Sequence, residues 1–353
     1  MKKLIIKAAK LFAAPNAALE ILDSIAFIGD RVEFTDLEIF VSIPFKTGIN
    51  TAIPIHNFVT AMEALDSPSF KDDVSKKEIG TIEKPKTHIF HKVTISEGKQ
   101  AIKVSGNDLG DWPKMPSDDD KKGIGVLPAT LLPTLKDSML FQSLDDLRPA
   151  MTYTYLKTHV VATDAHRLMF IKLDTPFKEE IFLHKKVIKL MEIFGGDWIA
   201  AMGYDKKRPT IQQFTNEDGV KIVCRHPDVR FPDWQVVVPV IDAETPSATL
   251  NKKEILQAIK IGSKFGNRST KQSTFALGEK KSTFSTADVD FDTEYSTEIT
   301  APNTKEMEIA FNWDFVKQIL DLSGETVKMH YWSPNKATIF DGKYLLMPGL
   351  LNR

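Results

Sequence analysis

A helix-and-strand pattern that returns about every 125 residues is the feature that most constrains this 353-residue chain. Leu4, Ile5, Ala8, Leu11 and Phe12 recur at helical spacing and give one apolar face. A counterpart opens near Pro128, tolerated in a first helical turn, and carries Leu131, Leu132, Leu135 and Met139. A third covers about Asn251–Phe265. A second helical pattern runs from about Pro54 to Leu65. Its counterparts are a helix with Val187, Ile188, Met191 and Phe194, stopped by Gly195-Gly196, and one over Asn312–Leu322. Asn251 and Asn312 are suited to N-cap their helices. First helices therefore open near 2, 128 and 251, and second helices near 54, 183 and 312. A fixed period outranks other signals, and here it is a whole domain rather than a solenoid unit.

Strand-like segments repeat on the same step. Phe34-Thr35-Asp36-Leu37-Glu38-Ile39 corresponds to Ala162-Thr163-Asp164-Ala165-His166-Arg167-Leu168, with a weaker echo at Thr286-Ala287-Asp288-Val289. Trp112-Pro113 and Phe231-Pro232 form another pair. Val93, Ile95, Ile102 and Val104 flank a Ser-Glu-Gly-Lys turn, and Asn216-Glu217-Asp218-Gly219 and Asp341-Gly342 read as further hairpin turns. The fold class is α+β, with two helices and antiparallel sheets in each of three domains, expected at 1–120, 124–243 and 246–353. The polar run from Ser117 to Gly123 reads as the first linker, and Ala243–Pro246 as the second.

The formal net charge is −1, so no global basic pull on nucleic acid exists, and contact with DNA must come from local clusters. A single cysteine, Cys224, excludes an internal disulfide and fits a reducing compartment. Lys7 and Lys10 interrupt the N-terminal apolar run, and no stretch approaches the roughly 18 residues of a membrane span, so the expected location is cytoplasmic. Neither GxGxxG nor GxxxxGK[ST] occurs, nor does CxxC or HExxH, and no cofactor or metal is expected. The densest polar group is Thr163–Arg167. As an enzyme, the chain would use Asp164 and His166 as an acid/base pair. Strand alternation also puts them on one face, where they would simply hydrogen-bond, and no nucleophile or metal set accompanies them. The chain is expected to have no catalytic site.

Lysines carry more information. Lys3, Lys7 and Lys10 share one stripe of the first helix, and Lys253, Lys260 and Lys264 do the same in the third copy. Lys185, Lys186 and Lys189 cluster on the second helix of the middle copy. Each alone is an ordinary solvated face, but their recurrence points to a surface that meets phosphates without reading bases.

The threefold repeat, the segments TDLEI at Thr35–Ile39, ATDAHRL at Ala162–Leu168 and FPDW at Phe231–Trp234, and the terminal YLLMPGLL at Tyr344–Leu351 resemble the β sliding clamps of bacterial DNA polymerase III. The resemblance covers essentially the whole chain. It implies a ring-forming DNA clamp fold in which two three-domain subunits pair head to tail around double-stranded DNA, with helices lining the inside and sheets outside. The implied function is that of a DNA polymerase processivity factor, without its own activity, that raises effective concentration by tethering. The implied partners are the polymerase, the clamp loader and repair proteins, through short hydrophobic motifs. By position, the partner pocket is Met151, Thr163, Ala165, His166, Arg167, Leu168, Pro232, Val236, Val237, Leu345, Met347 and Pro348. The implied seam sets Ile102 and Val104 on an edge strand against Lys264 and Phe265. Alternatives are a clamp-like scaffold that no longer encircles DNA, and the enzyme reading above. The chain departs from the family at three places. Ala165 stands where glycine is usual, Val236 where a basic residue is common, and Met347-Pro348-Gly349-Leu350-Leu351 where Met-Pro-x-Arg-Leu is usual. The pocket has lost charge and gained apolar surface, which implies a preference for more hydrophobic peptides.

Overall fold

The computed structural model describes residues 1–13, 19–81, 84–117 and 120–351. Six α-helices are found among them: α1 (Lys2–Phe12), α2 (Ile55–Ala64), α3 (Leu132–Ser138), α4 (Lys185–Phe194), α5 (Lys252–Gly262) and α6 (Trp313–Leu322). Their places and faces follow the apolar periodicity. Gly195 ends α4 with φ +65°, a conformation that costs glycine little. Asn251 caps α5 by accepting from Glu254 N at 3.0 Å, and Asn312 caps α6 by accepting from Asp314 N at 2.9 Å.

The chain divides into two compact units, 1–133 with 177–228, and 134–176 with 229–353. In the first unit, eight antiparallel strands lie in the order Thr51–Pro54, Ser24–Ile28, Arg31–Thr35, Ile39–Pro44, Lys221–Arg225, Arg208–Asn216, Trp198–Asp205 and Lys121–Leu127. The join between repeats is Ile39–Pro44 against Lys221–Arg225, with Val41 opposite Ile222. A separate three-stranded sheet holds Ser69–Thr81, Lys84–Glu97 and Gln100–Gly106. Helix α1 packs on α2 and α4, with Phe12 stacked on Phe34 at 5.7 Å.

The second unit repeats the plan. The strands that this unit contributes to its larger sheet run Tyr153–Leu156, His159–Thr163, Arg167–Lys172, Tyr344–Leu346, Thr338–Phe340, Thr326–His330 and Ser247–Asn251. The join is Arg167–Lys172 against Tyr344–Leu346, with Met169 opposite Tyr344. A four-stranded sheet orders Thr293–Ile299, Ser282–Asp288, Gln272–Leu277 and Met307–Asn312. Fully buried Phe275, Phe284, Phe311 and Phe340 fill this core edge to face.

Two expectations change. The polar run at 117–123 is not all linker, because Lys121, Lys122 and Gly123 already pair with Gly203, Met202 and Ala201. A strand needs only a partner edge to satisfy its backbone, not apolar side chains of its own, and the Trp198–Asp205 strand supplies that edge. Residues 118 and 119 of that run lie outside the described residues. The second correction is that Asp164, Ala165 and His166 are not strand but a turn between His159–Thr163 and Arg167–Lys172. The positive φ of Ala165, +76°, breaks the two-residue alternation on which the shared face of Asp164 and His166 rested. Leu37 makes the matching turn at φ +74°. The hairpin after Thr286 instead turns later, at 289–292. Ala243–Pro246 lies outside regular structure.

Candidate functional site

The Thr163–Arg167 turn is closed by its own side chains. Thr163 Oγ1 donates to the Arg167 carbonyl at 2.8 Å and accepts from Ala165 N at 3.1 Å. Asp164 Oδ1 accepts from His166 N and Arg167 N, and its Oδ2 accepts from Arg167 Nε at 2.9 Å. Aspartate favours such turns because its short carboxylate reaches backbone N–H groups two and three residues on. Both Asp164 oxygens are thereby committed to the turn, and the His166 ring instead stacks on Phe315 at 6.3 Å. The geometry is that of a structural turn rather than an acid/base pair.

Arg167 holds the turn to the rest of the unit. Its side chain is only 7% exposed, and its guanidinium lies between the rings of Phe141 and Phe315, 5.1 and 4.3 Å from their centroids. It donates to the Leu140 carbonyl at 2.6 Å and to Gln318 of α6. A planar cation with five donors suits this mix of stacking and forked hydrogen bonds, and lysine would not.

The terminal strand completes the wall. Leu168 faces Leu345 in register, and Met347 N donates to the His166 carbonyl at 2.9 Å. Gly349 N then donates to the Ala310 carbonyl at 2.8 Å, turning the tail onto the four-stranded sheet. Tyr344 stacks on Phe141 at 5.7 Å, and burial pushes its phenol up to about 12. On the same unit, Trp234 stacks on Phe170 at 5.8 Å and meets His159 edge to face, and Phe231 stacks on Tyr155 at 4.9 Å. These rings fix the short 3-10 turn Trp234–Val237.

Folding gathers sequence-distant segments here, but the twelve expected pocket residues do not all present a surface. Thr163, Arg167, Leu168 and Leu345 are buried, the last two at 3% and 2% exposure. Met151, Pro232 and Pro348 are half-buried. Ala165, His166, Val236, Val237 and Met347 are exposed, Val236 at 79%. The sequence reading overlooked Leu144 and Leu147, which are 85% and 91% exposed on the loop between α3 and Met151. That loop is held at Leu140 by Arg167 and at Ser143 N by the Met151 carbonyl, 2.9 Å away.

Solved structures share this architecture along its whole length. The DNA polymerase III β subunit of Thermotoga maritima superposes with a TM-score of 0.80 at 17% identity, covering 99% of this chain and 97% of that one. The β sliding clamp of C. crescentus gives 0.79 at 19% identity, with coverage of 99% and 97%. A sliding clamp of Pseudomonas aeruginosa, solved bound to griselimycin, gives 0.77 at 16% identity, with coverage of 99% and 98%. The chain has the β sliding clamp fold. No family profile matches the sequence, and no curated protein does, so the likeness is one of architecture.

On the clamp fold the lysine clusters separate into two kinds. Lys3, Lys7 and Lys10 of α1 are exposed, and Lys10 meets Glu63 of α2 at 2.7 Å in a solvated pair. Lys253, Lys260 and Lys264 are also exposed. Lys253 and Lys260 border a groove of about 420 Å³ with Lys252, Leu256, Gln257 and Glu325. In the middle cluster Lys189 is exposed and Lys185 half-buried. Lys186 is engaged rather than free: it is half-buried, binds Asp36 and lies 4.7 Å over the Phe12 ring. Lys2 and Lys252, absent from the expected clusters, share a different task. Lys2 Nζ donates to the Leu65 and Asp66 carbonyls after α2, and Lys252 Nζ to the Asp321 and Ser323 carbonyls at the end of α6. Each neutralises a helix C-terminus.

The expected seam residues also have definite places. Ile102 and Val104 lie in Gln100–Gly106, where their side chains face Ile95 and Val93 in the interior. Val104 is 8% exposed and Ile102 half-buried, so that strand offers its backbone edge and the side chains of its other face, Ala101, Lys103 and Ser105. Phe265 is 43% exposed and stacks on Tyr295 at 6.4 Å, and Lys264 beside it is exposed. No helix among the described residues is long and apolar enough to cross a membrane.

Proposed function

We propose that this chain is a DNA sliding clamp: a processivity factor without activity of its own that pairs head to tail with a second copy and encircles duplex DNA. The observation that carries this reading is the full-length match to β clamps combined with exposed lysine stripes on α1 and α5. Exposed lysines at helical spacing suit sequence-independent phosphate contact, and a closed ring needs little affinity, because topology prevents escape. The three domains are 1–120, 124–243 and 246–353. Inward contacts come from Lys3, Lys7, Lys10, Lys189, Lys253, Lys260 and Lys264, with Lys185 beside them. Lys186 is reassigned to structure. The setting is the cytoplasm, with polymerase, loader and repair proteins as partners.

Partner motifs dock on the surface bounded by Ala165, His166, Val236, Val237 and Met347, above the Leu168–Leu345 floor. Exposed Leu144, Leu147 and Leu350 add apolar area on the same unit. A hydrophobic peptide fits this surface better than a charged one. A standard clamp-binding peptide should bind more weakly than to a clamp that carries the usual basic and arginine positions, and equal affinity would defeat the point.

The deciding experiment is retention on DNA. A loaded clamp stays on closed circular DNA in high salt and is lost once the circle is linearised. Equal loss from both forms would overturn encirclement and favour a scaffold that keeps only the peptide surface.

A further inference from the structure

The two joins between repeats follow one rule. Each pairs, antiparallel, the third strand of one repeat's first half with the last strand of the next repeat's second half. In the first half, the fixed point is the residue two before the shared aspartate: Phe34, Ala162 and Thr286, opposite Val41, Met169 and Tyr295. In the second half, it is the apolar ladder pair nearest the hairpin turn. These pairs are Phe214–Ile222, Phe340–Tyr344 and Ile95–Ile102. At both joins the fixed points meet, Val41 opposite Ile222 and Met169 opposite Tyr344.

One strand of each kind is left over. Among the described residues, Thr293–Ile299 pairs only with Ser282–Asp288, and Gln100–Gly106 pairs along its length only with Lys84–Glu97. Each unit thus ends on an open edge, a surface that proteins normally cover.

We infer that in the head-to-tail dimer Thr293–Ile299 of one copy pairs antiparallel with Gln100–Gly106 of the other in the register Tyr295 opposite Ile102, seating Glu294 against Lys103 and Glu298 against Lys99. This rests on the dimer reading above and specifies its contact. The charges support it independently. The exposed residues of Thr293–Ile299 are Glu294, Ser296 and Glu298, whereas Lys99, Ala101, Lys103 and Ser105 are exposed at the other edge. A shift of two residues in either direction breaks at least one of the two pairs, setting Lys103 opposite Ser296 or Asp292 opposite Lys103 with Ser296 opposite Lys99. Register is commonly fixed this way, by side-chain matching along a face. Phe265, stacked on Tyr295, then lies beside Ile102, which unites the two halves of the expected seam.

Crosslinking reads this register directly. Opposed residues in an antiparallel pair have Cα atoms about 4.5–5.5 Å apart, within disulfide range. The full chain with Ala101→Cys and Ser296→Cys should oxidise to covalent dimers. The natural Cys224 stays silent, since it is buried with its thiol pushed up to about 12. The slipped pairs, Ala101→Cys with Glu294→Cys and Ala101→Cys with Glu298→Cys, should crosslink far more slowly. A slipped pair that crosslinks faster, in a protein with dimeric mass by light scattering, overturns the register and leaves the dimer standing. A monomeric mass with no crosslink from any pair overturns the dimer and the register with it. Lys103→Glu should weaken the dimer about tenfold, and adding Glu294→Lys should restore most of that loss. No restoration counts against the register.

Discussion

The turns at Thr35–Ile39 and Thr163–Arg167 share a backbone and differ in one cation. In each, the threonine hydroxyl accepts from the third residue's N–H, at 2.9 Å from Leu37 and 3.1 Å from Ala165. In each, the aspartate Oδ1 accepts from the next two N–H groups, and the third residue has φ near +75°. At the first turn the remaining aspartate oxygen binds Lys186, a quarter exposed, reaching in from α4. At the second it binds Arg167, which belongs to the turn and is buried between two rings. The first turn therefore receives a helix and serves as a joint. The second supplies its own counter-ion; the tips themselves are alike, with Leu37 and Glu38 exposed at the first and Ala165 and His166 at the second.

The contrast is tested most severely by Arg167→Ala. It strips a stacked, buried cation from Asp164, Gln318 and Leu140, and should cost about 3–5 kcal/mol in urea unfolding. Lys186→Ala removes a half-solvated pair and should cost about 1 kcal/mol or less; equal losses would erase the distinction. Glycine at the left-handed positions is next. Ala165→Gly should stabilise by roughly 1 kcal/mol, and Leu37→Gly by a similar amount less any lost packing. A loss of stability at Ala165→Gly would show that its methyl makes a contact worth more than the strain. The smallest effect concerns the caps of the second helices. His184 caps α4 by accepting from Lys186 N at 3.2 Å, whereas Asn312 caps α6. Burial foremost, then nearby Lys186, holds the His184 pKa below its ordinary 6.5. Between that depressed value and 6.5 the unfolded chain binds more protons than the folded one. Stability is thus complete above about 6.5, falls as pH drops through the window, and levels off below it. His184→Asn keeps a cap and should flatten part of this slope between pH 7.5 and 5.5 in urea unfolding. The remaining slope includes His226, whose pKa is likewise lowered by burial.

Local signals in the sequence were read correctly. Asn251, Asn312 and Gly195 bound helices by chemistry that acts within four residues, and the Asp341-Gly342 turn takes φ +49° and +66° as its residue types suggest. The 164–166 turn was misread, because alternating polar and apolar residues look like strand until one backbone angle reverses the chain. Lys186 was grouped as a free surface lysine for a related reason: helical spacing puts it beside Lys185 and Lys189, but only the packing of α1 and the Asp36 turn shows that it is engaged. The segments proposed to form the partner surface were named through motif resemblance. Their sorting into buried floor and exposed rim depends on pairings such as Leu168 with Leu345, far apart in the chain. Leu144 and Leu147 carry no periodic signal, and only their exposure marks them.

The sheets that cross from one repeat to the next also set a timetable for synthesis. As the chain leaves the ribosome, Ile39–Pro44 has no neighbour on its outer side until Lys221–Arg225 emerges, and Arg167–Lys172 waits for Tyr344–Leu346 near the very end. Nascent chains therefore carry an unpaired β edge through most of translation, at the roughly 5–20 residues per second of elongation. Charges at the ends of these apolar strands, Glu38 and Lys46 beside the first and Arg167 and Lys172 on the second, are what keep the half-made protein from its neighbours, well before they have any part in the finished one.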